Sequence, residues 1–251
     1  MSIEIETRKF KDINLEGGVI LDCIPTVNIV SGIVGSYIVS ALNLDQVFAF
    51  ESEAFPPVSM VFSGKPKFPA RGYASEELKL GVVLTEFQPT PNLSRPLAYK
   101  LLSCHDKLKC SMIVSFEGLP VKNTTGKDEN NMDEPYVFAL ASSDKARKLL
   151  EDSKINQMET GMVVGITAIL MNEGRWRNRD VISLIGEISD GVSNIRVAAK
   201  LIEAFNKLMP QFKIDVGPLL SEAEKIETHF ENLQTQAKPV LPERSTSYMY
   251  G

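Results

Sequence analysis

The 251-residue chain is 43% hydrophobic and 24% charged, which is enough apolar sequence to bury one sizeable core, so a single domain is expected. Its formal net charge of -5 argues against an electrostatic grip on nucleic acid or on an anionic membrane surface, and favours a protein or small-molecule partner. Three cysteines make an odd count, and residues 1–18 carry charges where a signal peptide needs an apolar run. We therefore expect a cytoplasmic protein with free thiols.

The first elements are a strand and an uncharged helix. Residues 18–23 have the composition of a buried strand, and Pro25 with Thr26 supplies the turn before the helix. Residues 23–44 contain no charge and are long enough to span a membrane, but they include proline and several small polar residues. A helix packed between a sheet and a neighbouring element is favoured over a membrane span.

Short runs rich in Val, Ile and Phe then alternate with helical patterns. Gly32 and Gly35 in the first helix fit no phosphate-binding glycine motif and would instead allow close approach of the helix to a sheet. Strand candidates cover residues 46–52, 58–64, 81–87, 111–118, 136–142 and 180–187. Helical patterns lie near residues 93–105, 143–151, 160–173, 194–209 and 219–237. This alternation predicts the α/β class, with a mixed or parallel sheet covered by helices on both faces.

Two further segments have distinctive patterns. Residues at about 119–135 are polar and without periodicity, which predicts a mobile excursion that is either a plain surface loop or a recognition loop. Gly217 and Pro218 are a suitable start for a helix. That helix carries a heptad seam of Leu219, Ala223, Ile226, Phe230, Leu233 and Ala237. The seam is either packed on its own subunit or lies between subunits.

The sequence predicts no catalytic, cofactor or metal site. Its only histidines are His105 and His229, and His105 with Cys104 and Cys110 lacks the ligand spacing of a zinc site. No serine lies in a nucleophile-elbow motif. Acidic pairs occur in polar surroundings, where both carboxylates stay solvated.

Residues 175–179 read "RWRNR" and hold the only tryptophan. Because Trp and Arg are frequent anchors of protein interfaces, Arg175, Trp176 and Arg177 are a candidate interface. The alternative is a helix end at which the cations complement the helix dipole and Trp176 folds back onto the core.

Four segments together resemble the archaeal proteasome-assembly chaperone family: residues 21–42, 52–58 with 65–73, 161–170, and 194–205 with 219–233. They include the acidic-Phe-Pro-Pro pattern of Phe55, Pro56 and Pro57, the glycines Gly161 and Gly165, and the paired alanines Ala198 and Ala199. The resemblance covers most of the chain apart from the excursion, and implies a fold similar to that of nucleoside phosphorylases. The chain departs from the family at Asn28 and Ser31, where the family tends to have glycine.

The resemblance also implies a function and a binding tail. Some family members end in a hydrophobic residue, a tyrosine and any last residue, and Met249, Tyr250 and Gly251 match this pattern. Such tails are taken to enter pockets between adjacent α-subunits of the proteasome core particle. The expected organisation is an α/β chaperone domain over residues 1–237 and a flexible docking tail over 238–251.

The expectation is therefore a non-enzymatic proteasome-assembly chaperone or core-particle binding protein, without cofactor, acting as a homo-oligomer that presents several tails. The alternative is an enzyme or sensor of a small metabolite with a nucleoside-phosphorylase-like cleft.

Overall fold

The alternation of strands and helices is confirmed by the computed structural model, which describes residues 3–62, 64–121, 135–188 and 193–221. In chain order its elements are β1 (Glu6–Lys9), β2 (Val19–Cys23), α1 (Val30–Ala41), β3 (Asp45–Glu51), β4 (Met60–Phe62), β5 (Lys65–Lys67), β6 (Ala70–Ser75), β7 (Leu80–Thr85), α2 (Pro91–Lys107), β8 (Met112–Pro120), β9 (Val137–Ala141), α3 (Asp144–Asp152), α4 (Gly165–Trp176), β10 (Asp180–Ile188), α5 (Asn194–Leu208) and α6 (Gly217–Ser221).

Eight strands form one mixed sheet in the order β1-β3-β6-β7-β2-β8-β10-β9. The central strands β7, β2, β8 and β10 run parallel to one another, and the connections between them contain helices. The outer strands β1, β3, β6 and β9 pair in antiparallel fashion. β4 and β5 form a separate two-stranded hairpin.

Helices cover both faces of the sheet, as the sequence predicts. α1 and α5 pack on one face, where Ile33, Ala198 and Phe116 belong to one hydrophobic cluster. α2 and α4 pack together on the other face, where Leu97 and Leu170 belong to a second cluster. The two clusters make the protein a single α/β domain with a core on each side of its sheet.

The uncharged segment forms α1, which lies against the sheet at a glycine. A Cβ atom placed on Gly35 would lie 2.5 Å from Cys23 Cβ of β2, so only glycine fits at this distance. The predicted close approach of helix and sheet is therefore confirmed. In the described part of the chain, no helix has the length and hydrophobicity needed to cross a membrane.

The structure corrects several predicted bounds. β1 and β6 were not predicted, and residues 58–64 yield only β4, in the hairpin outside the main sheet. β8 continues through Pro120, into the residues assigned to the excursion. α4 begins at Gly165 and not near 160, because Gly165 has a left-handed φ of 69° that separates the helix from the preceding loop.

Other predictions fall outside the described residues. They concern the rest of the excursion, residues 122–134, the heptad seam beyond Leu219, the domain boundary after 237, and the tail over 238–251. The helix start predicted at Gly217 is confirmed, since α6 begins there and Leu219 is buried.

Candidate functional site

A buried polar cluster lies where the parallel strands end, the edge at which α/β folds bind ligands. β2 contributes Asp22, β8 contributes Ser115 and Glu117, the turn after β2 contributes Thr26, and the first turn of α4 contributes Thr167. Asp22 and Ser115 are register partners on adjacent strands. Asp22, Ser115, Glu117 and Thr167 are all buried.

Hydroxyl groups connect the two carboxyl groups of the cluster. Ser115 Oγ lies 2.9 Å from Asp22 Oδ2 and 2.8 Å from Thr167 Oγ1. Thr167 Oγ1 lies 2.5 Å from Glu117 Oε1, and Thr26 Oγ1 donates to Glu117 Oε2 at 2.5 Å. Among the described residues, no lysine, arginine or histidine donates to either carboxyl group.

If all three contacts of this chain are hydrogen bonds, the chain requires one carboxyl proton. Three contacts link Asp22 to Glu117 through Ser115 and Thr167, yet each hydroxyl supplies only one hydrogen. The third hydrogen must come from a carboxyl group. Burial raises the pKa of Asp22 to about 6 and the pKa of Glu117 to about 7, which favours Glu117 as the proton carrier.

The cavity beside this cluster is small. The described residues enclose about 30 Å³, room for a water molecule or two and not for a nucleoside. Its walls are Val27, Glu117, Gly118, Leu119, Met158, Met162, Val163, Val164 and Ile185. The arrangement can hold and move a proton, but Thr26 and Thr167 already occupy the carboxyl oxygens of Glu117.

Sequence reasoning did not identify this cluster. The available signal was the presence of Asp22, Ser115 and Glu117 inside apolar strands, with the last two spaced to face the same side. Asn28, which departs from the family pattern, links the turn before α1 to β8. Its Nδ2 donates to the Gly118 carbonyl at 2.6 Å, and its Oδ1 accepts from the Val30 amide at 2.9 Å.

The predicted interface residues end α4. Arg175 lies in the last turn, as expected of a cation that complements the helix dipole. Trp176 is 85% exposed, so the alternative that it folds back onto the core is wrong. The reason is helical geometry: Gly174 faces the core, and two residues later the helix has turned by about 200°.

Two residues of α2 extend this surface, and sequence reasoning missed them. The guanidinium groups of Arg95 and Arg177 each lie 5.8 Å from the centroid of the Tyr99 ring. Arg95 donates to the Tyr99 hydroxyl, which donates to Glu173 at 3.1 Å, and Glu173 accepts from Arg177 at 2.8 Å. The five residues Arg95, Tyr99, Arg175, Trp176 and Arg177 are called the arginine–tryptophan surface below.

A third feature is an open groove of about 640 Å³ beside the hairpin. It is lined by the segments that carry the family resemblance, including Phe55, Pro56, Pro57, Pro66 and Phe68. Arg71, which donates to the carbonyl of the lining residue Phe68, forms an ion pair with Glu86, and both side chains are almost fully buried.

The cysteines form no metal site in the described structure. Cys23, Cys104 and Cys110 are free and buried, and no group of three or more His, Cys, Asp or Glu side chains in the described residues could hold a metal ion. Met249, Tyr250 and Gly251 lie outside the described residues, as does His229.

Known proteins resemble this chain over most of its length. A sequence profile of the PAC2 family matches residues 24–234. An uncharacterised protein of Methanocaldococcus jannaschii is 24% identical in an alignment of 249 positions that covers 97% of this chain and 98% of that protein.

Two crystal structures from Pyrococcus furiosus share the fold. PbaA, described as an archaeal homolog of proteasome-assembly chaperone, matches with a TM-score of 0.80 and 22% identity over 93% of this chain and 98% of its own. PbaB, described as an archaeal proteasome activator, matches with a TM-score of 0.71 and 19% identity over 93% and 99%. At these identities the likeness establishes a shared fold.

Proposed function

This chain belongs to the PAC2 family, and we propose that it is a non-enzymatic proteasome-assembly chaperone or a binding protein of the proteasome core particle. The family match over residues 24–234 carries the proposal. PbaA and PbaB, whose names connect them with proteasome assembly and activation, support it by sharing the fold. The net charge of -5 agrees with a protein partner.

The proposed contact with the core particle is made by Met249, Tyr250 and Gly251. A terminal carboxylate captured in a pocket is a recurrent recognition mode, and here Gly251 would provide that charge. Tyr250 would fill the pocket with its ring and donate its hydroxyl hydrogen, while Met249 would make an adaptable apolar contact. Residues 238–251 could extend up to about 45 Å at roughly 3.3 Å per residue, well beyond the domain.

Several tails acting together would strengthen the contact. One short tail binds weakly, because the cost of ordering it offsets much of the contact energy. A homo-oligomer that presents its tails at the spacing of the α-subunit pockets would raise the affinity by roughly 10²–10⁴. We therefore propose a closed homo-oligomer as the active form.

The geometry at the strand ends favours this proposal over a small-molecule enzyme or sensor. Glu117, the only acidic side chain among the described residues that line this cavity, already has a hydrogen-bond partner on each oxygen, Thr26 and Thr167. The cavity of about 30 Å³ would have to open before a nucleoside could enter. Reproducible phosphorolysis of nucleosides that is lost in Glu117→Gln would favour the enzyme instead.

Substitution of one tail residue tests the proposal. Tyr250→Ala removes the ring and the hydroxyl, and is expected to abolish binding to immobilised core particle in surface plasmon resonance. Tyr250→Phe keeps the ring and should lose only about 1 kcal/mol, the typical contribution of one hydrogen bond. Tyr248→Ala is the matched control, since it removes a tyrosine two positions away. Equal loss in Tyr248→Ala and Tyr250→Ala would contradict docking by the last three residues.

A further inference from the structure

We propose that the arginine–tryptophan surface binds an acidic segment of a partner protein. The proposal concerns a folded surface far along the chain from residues 249–251, and it holds whether or not those residues dock as proposed above. It is carried by three properties of the described residues: the exposure of Trp176, the fixed positions of two guanidinium groups, and the local charge.

Trp176 supplies the apolar part of the surface. With 85% of its area exposed it is the most exposed large hydrophobic side chain of the described residues. Tyr99 is also exposed, on the neighbouring helix α2. Trp and Tyr are enriched among interface anchors because each offers a large rigid area at a small entropic cost.

Tyr99 holds two of the cations in place. Arg95 and Arg177 lie on its ring, and their hydrogen bonds to the Tyr99 hydroxyl and to Glu173 restrict the rotamers of both arginines. A partner would therefore pay less of the entropic cost of ordering long side chains. Because guanidinium forks pair with carboxylates through two hydrogen bonds, ordered arginines also select for carboxylate groups.

The charge of the surface is opposite to that of the whole chain. Arg95 and Arg177 flank one carboxylate, Glu173, which already accepts from Tyr99 and Arg177, and Arg175 adds a further positive charge in the last turn of α4. Arg95 and Arg175 have no ion-pair partner among the described residues. An acidic segment would supply carboxylates to these two cations, and the complementarity would also speed association.

A protein fits this surface better than a nucleic acid. Three arginines on two helix ends do not form the extended basic groove that follows a phosphate backbone, and the net charge of -5 would oppose a polyanion beyond the patch. The occupant is therefore a short acidic segment with an apolar side chain that packs on Trp176.

The sole tryptophan makes the test direct. Trp176 fluorescence is recorded while a synthetic peptide of alternating Glu and Leu is added to the full-length protein. Its emission should shift to shorter wavelength with saturation, and the effect should weaken with added salt. Peptides with Gln or Lys in place of Glu should leave the emission unchanged.

Variants locate the response. Arg175→Glu, which alters no hydrogen bond in the described structure, should weaken peptide binding about tenfold, because like charges face each other across the contact. Arg175→Lys, which keeps the positive charge, should weaken peptide binding less than Arg175→Glu does. Arg196→Glu, an exposed arginine of α5 on the opposite face of the sheet, is the matched control and should bind as the parent does.

Other outcomes would overturn the proposal. These are an unchanged emission with the acidic peptide, equal affinities in Arg175→Glu and the parent protein, or a response to a single-stranded oligonucleotide and not to the peptide. A shift with protein concentration alone would identify a second copy of this chain as the occupant and would equally refute a separate acidic partner.

Discussion

At the scale of single residues, the protein buries carboxyl groups in two different ways. Glu86 is neutralised by Arg71, which also donates to the Phe68 carbonyl at 2.7 Å and to the Tyr73 hydroxyl at 2.9 Å. Asp22 and Glu117 are instead linked by hydroxyl groups and depend on a proton. Replacing the buried carboxyl group by a neutral amide should therefore raise the stability of the protein at Asp22 and lower it at Glu86.

The contribution of Asp22 and Glu117 to the stability of the protein should fall as pH rises from about 4 to about 7. Asp and Glu ordinarily titrate at 3.8 and 4.5, whereas burial raises the pKa of Asp22 to about 6 and that of Glu117 to about 7. Over this interval the folded state binds more protons than the unfolded chain, so the free energy of unfolding decreases with pH and then levels off.

Asp22→Asn should remove part of this dependence. The asparagine amide can donate to Ser115 Oγ. It therefore supplies the third hydrogen that the contacts between residue 22 and Glu117 require, without a carboxyl proton. At pH 8 the variant should be more stable than the parent by about 1–3 kcal/mol, while at pH 4 the two should be nearly equal. Urea unfolding followed by circular dichroism over this pH range measures both.

Glu86→Gln is the matched control for Asp22→Asn. It leaves the buried Arg71 without its anion, and should lower the free energy of unfolding by about 3–5 kcal/mol. If Asp22→Asn were equally destabilising at pH 8, the two carboxyl groups at the strand ends would not share a proton in the way described.

At the scale of elements, the contact of α1 with β2 depends on Gly35. Alanine would favour the helix by about 0.5–1 kcal/mol, but its Cβ would meet Cys23 Cβ at 2.5 Å. The cost of this overpacking should exceed the gain in helix propensity, so we expect Gly35→Ala to lower the free energy of unfolding by about 1–3 kcal/mol. Thermal unfolding followed by circular dichroism measures the change.

Ser40→Ala on the exposed side of α1 is the control for helix propensity, and it should be neutral or slightly stabilising. A Gly35→Ala protein as stable as Ser40→Ala would mean that helix and sheet separate easily.

The elements that the sequence predicts well are those whose local pattern agrees with their burial. The central strands are apolar runs, and α5 has a continuous apolar face, so both were predicted to within a few residues. β6 was missed because the charge of Arg71 argues against a buried strand and Gly72 is of a type depleted in strands. Both are explained only by distant residues: Glu86 pairs with the arginine, and the Phe48 ring occupies the space beside the glycine.

The candidate sites also differ in how far local sequence predicts them. Residues 175–177 are contiguous, so their composition predicted an interface, whereas Arg95 and Tyr99 join them only through the packing of α2 on α4. The carboxyl cluster is assembled from two strands, a turn and a helix, and no local pattern identifies such a set. The start of α4 was placed too early because Met162 and Val164 are apolar yet exposed.

At the scale of the whole molecule, several large apolar side chains are exposed in the described structure. Exposed side chains in separate places include Val61 and Phe62 on the hairpin, Met162 and Val164 before α4, and Trp176 at its end. Native mass spectrometry at micromolar concentration is expected to show one closed homo-oligomer. A monomer would remove the multivalent part of the proposed function.

The central claim is that this PAC2-family protein binds the proteasome core particle through residues 249–251. The most direct test is co-purification of the core particle with the full chain and with a chain that lacks those three residues. We expect capture by the full chain, no capture by the shortened chain, and the same oligomer and thermal unfolding for both. Equal capture by the two chains would show that the folded domain is the interface, and no capture by either would contradict a core-particle partner.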